Sequence, residues 1–352
     1  MIALIIAAAT AMAVSLFGTR YLVRYFRDLG KGQPILGPED RGPEHQHKAG
    51  TPTMGGLAIL IAATVGYLAA HVLPKVTFSN QAKVIFFGIF AFAGLGFLDD
   101  FLKVRRERNR GVFWKSKGYI SFGIALLIAT LLVTVTHVST TLSFTRHDLP
   151  GWDLGRPGTI LLAALIIFST TNAVNVTDGL DGLAAGSALF GFFAFTVIAF
   201  WGFRNQDIYV NNGGIVNPLD LAVIAVAFAG ACAGFLWWNA APARIFMGDV
   251  GSFAIGSALA LLALTTNTDL LLPIICGLNV IEIGSVALQM GVYRASGRTR
   301  RLFRLSPVHH HFELVGWPET TVIIRFWLLS GISVAAALGL YYADFAHRAA
   351  VL

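Results

Sequence analysis

Long apolar runs, each close to the ~20 residues that a helix needs to cross a bilayer, recur along the whole of this 352-residue chain. Only 13% of the residues are charged, which is about half the share found in soluble domains. Backbone polar groups must be hydrogen-bonded inside lipid, and the runs are much longer than the ~10 residues of a barrel strand. The sequence therefore predicts an all-α, polytopic integral membrane protein with a single domain over residues 1–352.

We expect about ten transmembrane helices. They are predicted at 1–24, 54–74, 82–98, 117–137, 158–176, 182–201, 219–237, 250–266, 270–291 and 320–343. The two longer loops on the outward side, 138–157 and 202–218, contain Gly, Pro and Asn and are expected to be turns without a site.

The basic residues are distributed unevenly between the two sets of connections. All but six of the 26 Lys and Arg residues fall on one side of the predicted membrane. Short loops rich in Lys and Arg stay in the cytosol, so this side is predicted to be cytosolic and both termini to face outward. The six exceptions are Lys75, Lys83, Arg146, Arg156, Arg204 and Arg348.

The formal charge of +7 is explained by this orientation signal, and no nucleic-acid partner is expected. The chain contains no GxxxxGK[ST], no strand-linked GxGxxG and no HExxH motif. A nucleotide-binding loop and a zinc-protease helix are therefore excluded as the source of the chemistry. Any phosphate must be held by charged side chains and metal.

Two acidic residues end the third predicted span, where the helix dipole disfavours carboxylates. These are Asp99 and Asp100, and Lys103 follows one turn after Asp99. A divalent ion or a substrate could supply further compensation, while a solvated acidic pair is the alternative.

The segment TTNAVNVTDGLDGLAAG places Asn172, Asn175, Asp178 and Asp181 at three-residue steps where the fifth span meets the cytosol. Helix capping by Asp178 is the alternative to ligand binding. Capping accounts for one carboxylate, whereas the segment holds two carboxylates and two amides.

A third acidic segment, NAAPARIFMGDVGS, contains Asn239 and Asp249 at the start of a later span. Asp249 could cap that helix. It is, however, the third acidic group on the same membrane face, and acidic groups at membrane depth are costly enough to indicate function.

The basic loop before the last span contains SPVHHHFEL, with His309, His310 and His311 in sequence. In an extended segment His309 and His311 point the same way and His310 points oppositely, so the three do not form one metal site unaided. We expect these imidazoles to bind phosphate or to move protons, with plain surface histidines as the alternative.

Three lysines complete the cytosolic set. Lys48 and Lys115 are candidate phosphate or sugar ligands, whereas Lys117 is expected only to enforce topology. Carboxylates, Lys and His without a nucleotide-binding loop describe a Mg²⁺-assisted phosphoryl-group site at the bilayer edge. We then expect one substrate to be a lipid phosphate.

Several motifs together resemble those of a known family. GTPTMGG, FLDDFLKV, NAVNVTDGLDGL, NAAPARIFMGDVGS and SPVHHHFELVGWPE resemble, in order and spacing, those of the polyprenyl-phosphate N-acetylhexosamine-1-phosphate transferases. Within that superfamily the chain looks like the phospho-N-acetylmuramoyl-pentapeptide transferases. HHHFE is the most discriminating string, since relatives that transfer N-acetylglucosamine phosphate carry a different histidine motif.

The resemblance implies transfer of phospho-N-acetylmuramoyl-pentapeptide from its UDP carrier to undecaprenyl phosphate, with Mg²⁺ as cofactor, release of UMP and formation of lipid I. It implies a homodimer in the bacterial inner membrane. It also implies Asp249 as principal metal ligand, with Asp99, Asp100 and Asp178 as further candidate ligands. Asp99, Asp100, Asp249 and His309 become the catalytic candidates. The substrate-binding candidates are Lys48, Lys103, Lys115, Asn172, Asn175, Asp178, Asp181, Asn239, His310 and His311.

Three alternatives remain open at this point. The nearest is the same chemistry with UDP-N-acetylglucosamine, and the others are an ion-coupled transporter and an inactive scaffold of cell-wall assembly. Transporters place their acids near the membrane midplane, where only Glu282 lies in this sequence. Direct attack by the lipid phosphate and a covalent intermediate on an Asp are both compatible with these residues.

Overall fold

The computed structural model describes residues 1–28, 48, 50–72, 76–106, 111–136, 138–210 and 214–350. Much of two predicted cytosolic loops, at 29–47 and 107–110, lies outside these ranges, as does Lys75. The described helices are α1 (Ile2–Asp28), α2 (Gly56–Ala70), α3 (Asn80–Arg106), α4 (Trp114–Val135), α5 (Gly155–Thr177), α6 (Leu183–Arg204), α7 (Gln206–Tyr209), α8 (Pro218–Asn239), α9 (Gly248–Thr265), α10 (Leu272–Ile275), α11 (Gly277–Ala295), α12 (Val308–Val315) and α13 (Glu319–Ala349). The described strands are β1 (Thr141–Arg146) and β2 (Leu149–Asp153).

Eight of the described helices are long and apolar enough to cross a membrane, namely α1, α3, α4, α5, α6, α8, α9 and α13. This confirms the prediction of an all-α polytopic membrane protein. The predicted span at 54–74 corresponds to α2, an apolar helix of 15 residues. The predicted span at 270–291 is divided at Cys276 into α10 and α11. The count of ten spans and the orientation stay predictions.

The bundle has a buried centre and a periphery with an apolar surface. In α9, 89% of the most apolar stretch is buried, and in α8 78%, compared with 33% in α1, α4 and α13. α9 packs against α3 and α5, and α8 packs against α1 and α6. Because α9 is central, the residues at its N-terminus lie among the ends of several other helices. We call this end of the bundle the site face.

Small residues allow α1, α2 and α8 to pack closely. A side chain at Gly66 of α2 would collide with Ala7 and Ala11 of α1, and a side chain at Gly230 of α8 would collide with Ala8. Small residues are typical of helix contacts in membranes because they allow backbones to approach one another.

The opposite end of the bundle carries a feature that the sequence did not predict. The loop at 138–157 was expected to be turns, but it forms the antiparallel hairpin of β1 and β2. The expectation was wrong because the segment's Gly and Pro residues were taken to exclude pairing, whereas they lie in and around two short strands. The loop at 202–218 likewise contains the short helix α7.

Polar contacts attach the hairpin to the helices. The Arg146 guanidinium donates to Asp344 of α13 through Nε at 2.9 Å, and the Thr145 hydroxyl donates to the same carboxylate at 2.6 Å. The Ser143 hydroxyl donates to Asp269 at 2.7 Å. The hairpin is therefore held against both α13 and the connection between α9 and α10.

Candidate active site

Three carboxylates from two helices meet at the site face. Asp99 and Asp100 lie towards the end of α3, and Asp249 lies in the first turn of α9. One oxygen from each carboxylate lies within 4.8 Å of the others, and Asp99 and Asp100 are only 2% and 3% exposed. Three acidic groups packed this closely require cationic neighbours.

Two glycines permit this approach. A side chain at Gly96 would collide with the backbone carbonyl of Asp249, so only glycine lets α3 and α9 come this close. Gly248 has φ +74°, a left-handed conformation that favours glycine, and a side chain there would collide with the Asp100 carboxylate. The glycine beside Asp249 thus directly shapes the acidic cluster.

Two lysines compensate the carboxylates. The Lys103 ammonium lies 2.7 Å from Asp99, 3.1 Å from Asp249 and 3.6 Å from Asp100. The Lys117 ammonium hydrogen-bonds to Asp249, lies 3.5 Å from Asp99 and sits 4.8 Å from the centre of the Phe253 ring. The five charged groups form one network with a formal charge of −1 when all are ionised.

The structure distinguishes the two lysines of VFWKSKG. Lys117, expected only to enforce topology, points into the acidic cluster, so that expectation was wrong. Lys115, predicted as a substrate ligand, is exposed, and its ammonium lies 5.4 Å from the centre of the Trp114 ring. Residues two positions apart on a helix point in nearly opposite directions, so only one of the two can face the cluster.

Asn175 connects α5 to the acidic cluster. Its side-chain amide donates to Asp249 Oδ1 and to the Ser252 hydroxyl, both at 2.9 Å. Asp249 therefore has hydrogen-bond partners on three other helices, α3, α4 and α5. No capping hydrogen bond from a side chain is made at the start of α9. The capping alternative for Asp249 is not supported. Ser252 was not predicted from the sequence.

Asp178 lies in the turn that follows α5. Burial, together with the nearby carboxylates of Asp249 and Asp100, raises the pKa of Asp178 to about 8. The N-cap of α6 is Gly182, without a capping side chain. Asp178 is thus not a cap of the next helix but a fourth acidic group within electrostatic reach of the cluster.

Asp181 belongs to a second charged group beside the first. The Lys48 ammonium lies 2.8 Å from Asp181 and 2.5 Å from Glu319, at the start of α13. The backbone N–H of Ala243 also donates to Asp181 at 2.9 Å. Glu319 was not predicted as a site residue, because an acidic residue in the first turn of a helix is common without a ligand.

The two remaining amide candidates bond to backbone. The Asn172 amide donates to the carbonyl of Phe168 in the preceding turn at 2.7 Å. Asn239 is buried, and its amide donates to the carbonyl of Ile245 at 2.9 Å. Asn239 therefore ties the end of α8 to the segment that leads into α9.

The three histidines lie on helix α12, so the extended geometry expected for them was wrong. His309 is fully buried, with Nδ1 3.0 Å from the Glu282 carboxylate. His310 pairs through Nδ1 with Glu313 at 2.8 Å. His311 accepts a hydrogen bond from the backbone N–H of Arg304 at 3.2 Å. Each ring thus has a different partner, as the helical spacing requires.

Comparisons with known proteins agree with this geometry. Residues 82–267, which contain the carboxylates of the cluster, match the model of glycosyl transferase family 4. Residues 48–60 match signature 1 of phospho-N-acetylmuramoyl-pentapeptide-transferase, and Lys48 begins that match. The chain is 45% identical to the Frankia alni phospho-N-acetylmuramoyl-pentapeptide-transferase, with 97% of each chain covered. The chain belongs to this transferase family.

Other members of the family are equally similar. The proteins of the same name from Saccharopolyspora erythraea and Mycobacterium bovis are 45% and 44% identical, again over 97% of each chain. The resemblance inferred from the motifs is confirmed. The phospho-N-acetylmuramoyl-pentapeptide transferases are thus the family in which the acidic cluster must be interpreted.

Proposed function

We propose that this chain transfers phospho-N-acetylmuramoyl-pentapeptide from UDP-N-acetylmuramoyl-pentapeptide to undecaprenyl phosphate, releasing UMP and forming lipid I. It is a multi-pass protein of the bacterial inner membrane. The observation that carries the proposal is the cluster of Asp99, Asp100 and Asp249 with two lysines at one end of a membrane bundle of this family. A phosphate on a lipid and a soluble nucleotide can meet at such a boundary.

We propose further that the enzyme is Mg²⁺-dependent. The oxygen atoms of Asp99, Asp100 and Asp249 are close enough to hold one ion, and oxygen is the ligand that Mg²⁺ prefers. Asp249 is the principal candidate ligand because it contacts side chains of α3, α4 and α5. Asp178 is a further candidate. When bound, Mg²⁺ would neutralise charge on the diphosphate that is cleaved.

The reaction that these residues support is an in-line displacement. An oxygen of the lipid phosphate attacks the phosphorus attached to the sugar, the bond to the bridging oxygen breaks, and UMP leaves with the bonding electrons. Asp99 already accepts a hydrogen bond from Val112 N–H at 2.8 Å and pairs with Lys103. Because its oxygens are engaged, we favour direct attack over a covalent intermediate on this residue.

The lysines are suited to hold phosphate. Lys103, Lys117 and Lys48 each pair with carboxylates in this structure, and an ammonium can exchange a carboxylate for a phosphate oxygen without a change in chemistry. Positive charge beside the reacting phosphate groups stabilises the negative charge of the transition state. We therefore propose that Lys48 and Lys103, predicted from the sequence, act together with Lys117.

A homodimer is a further proposal, and it rests on the family resemblance. Cross-linking of the enzyme in native membranes, followed by mass determination of the purified complex in nanodiscs, would test it. A mass of one chain per nanodisc at all concentrations, without cross-linked pairs, would contradict it.

The deciding experiment measures UMP release by the purified protein with undecaprenyl phosphate. UDP-N-acetylmuramoyl-pentapeptide and UDP-N-acetylglucosamine are compared, each with Mg²⁺ and with a chelator. We expect turnover of the muramoyl substrate alone, and only with Mg²⁺. Turnover of the glucosamine substrate alone would keep the chemistry but refute the pathway, and turnover in the chelator would refute the metal requirement.

A further inference from the structure

Glu282 is the acid that the sequence places near the membrane midplane, and the reaction proposed above assigns it no role. Glu282 lies on α11 and has no exposed surface, and its Oε2 lies 3.0 Å from Nδ1 of the fully buried His309. A carboxylate without water contact is costly unless it is hydrogen-bonded. Its pairing with His309 is therefore a requirement of the fold at this point.

The pairing fixes which ring nitrogen faces the active site. A neutral imidazole carries one N–H, and a carboxylate at Nδ1 places that proton on Nδ1. The opposite nitrogen, Nε2, is buried and has no hydrogen-bond partner in the described part of the chain. This nitrogen lies against Gly179, where any side chain would collide with it.

Gly179 belongs to the turn that carries Asp178. Gly179 itself is exposed, whereas His309 beneath it is buried. The imidazole thus supports the inner side of a turn whose outer side is open. A second contact, from α11, acts just before this turn, since the Asn279 amide donates to the hydroxyl of Thr177 at the end of α5 at 2.9 Å.

Asn279 and Glu282 are three residues apart, so both project from one face of α11. Asn279 bonds directly to the end of α5, and Glu282 contacts the following turn through His309. From this geometry we propose that Glu282 and His309 are positioning residues that set the Asp178–Gly179 turn in the transferase site. His309 then acts through Asp178 rather than by contacting the substrate. The proposal rests on the function proposed above.

The test is a set of double-mutant cycles in the UMP-release assay, run after wild-type turnover has been established. Glu282→Ala and His309→Ala should each lower kcat/KM by about 10- to 100-fold. Losses of this size are usual when a residue that orients a site residue is removed. Glu282→Ala should add no further loss in the His309→Ala background. His309→Ala should cost much less in an Asp178→Asn background than in the wild type.

A conservative variant distinguishes the hydrogen bond that Glu282 accepts from the negative charge that it carries. Glu282→Gln keeps an oxygen that can accept the Nδ1–H bond, so it should retain more activity than Glu282→Ala. NMR of ¹⁵N-histidine-labelled protein provides a readout that does not require turnover. The His309 signal, assigned by its loss in His309→Asn, should show a proton on Nδ1 in the wild type and in Glu282→Gln.

Asp220→Asn is the matched control. Asp220 is also buried beside a buried histidine, with Oδ1 3.2 Å from His71 Nε2. It lies at the other end of α8, about 28 Å along the helix from Asn239. This variant should lower the thermal midpoint but leave kcat/KM unchanged.

Three results would overturn the proposal: additive losses for His309 and Asp178, equal losses for Glu282→Gln and Glu282→Ala, or a similar loss of activity in Asp220→Asn. Absence of wild-type turnover would instead refute the proposed function, while the NMR result would still report on the buried pair.

Discussion

Lys117 offers the sharpest test of the site, because the structure assigns it a role that the sequence did not predict. Its ammonium hydrogen-bonds to Asp249 and lies 3.5 Å from Asp99, with one fifth of the side chain exposed. Lys117→Met removes the charge but nearly keeps the length. The formal charge of the five-residue network then changes from −1 to −2, and phosphate loses one of its candidate partners.

The expected loss follows from the value of one hydrogen bond to a charged group. Such a bond contributes about 1.5–3 kcal/mol, which corresponds to about 10- to 150-fold in kcat/KM. The solvent exposure of Lys117 favours the lower part of this range. Initial rates of UMP release over a range of both substrates measure the effect.

The chain supplies its own control in Lys115, two residues earlier and on the exposed side of α4. Lys115→Met removes the same charge from the same turn of α4 and should change kcat/KM less than about threefold, as expected for an exposed charge. Wild-type kinetics in Lys117→Met, or equal losses in the two variants, would refute the assignment of Lys117 to the active site. Equal losses would indicate that only the net charge at the start of α4 matters.

Three further predictions concern the metal site and the opposite end of the bundle. Asp249→Asn should abolish Mg²⁺-dependent UMP release while the thermal midpoint stays near that of the wild type, and near-normal release would refute its assignment as a metal ligand. Burial raises the pKa of Asp269 from 3.8 to about 7, against the lowering effect of its hydrogen bonds from Ser143. Ionisation of Asp269 therefore opposes folding, so the wild type should lose stability relative to Asp269→Asn as pH rises from about 4 to about 7, without further loss above. Thermal midpoints of both proteins at about pH 5 and about pH 8 check this, and parallel curves would contradict it. Asp344→Asn should lower stability by about 2–3 kcal/mol because it weakens the partly buried pair with Arg146. The thermal midpoint measures that loss, and an unchanged midpoint would show that the hairpin is held by other contacts.

The fold was largely predictable because few backbone structures can cross a lipid bilayer. Apolar runs of about 20 residues must be helices in a membrane, and eight such helices lie at predicted positions. The hairpin of β1 and β2 was missed because its strands are short and their contacts, such as Arg146 with Asp344, come from residues far apart in the chain. Local sequence patterns do not record such contacts.

The site was predictable as a location but less so in its detail. Asp99, Asp100 and Asp249 could be placed on one membrane face from topology alone, and the structure brings them together. The choice between Lys115 and Lys117 depends on the rotation of α4, which is set by packing on neighbouring helices. The sequence pattern restricts the answer to one of the two lysines but does not choose between them.

The histidine triplet shows why residue type and position together still do not give a role. An imidazole in a motif of polar residues can either bind a ligand or position another part of the site. The burial of the ring and of its partner distinguishes these two roles. His309 has no exposed surface, and its partner Glu282 is 27 residues away in sequence and equally buried. From the sequence, Glu282 is an acid near the predicted membrane midplane, without an assigned role. The contacts of His309 give the direction in which we propose that Glu282 acts, through the imidazole and towards the turn that carries Asp178. This proposal assigns Glu282 to the same site as the acidic cluster.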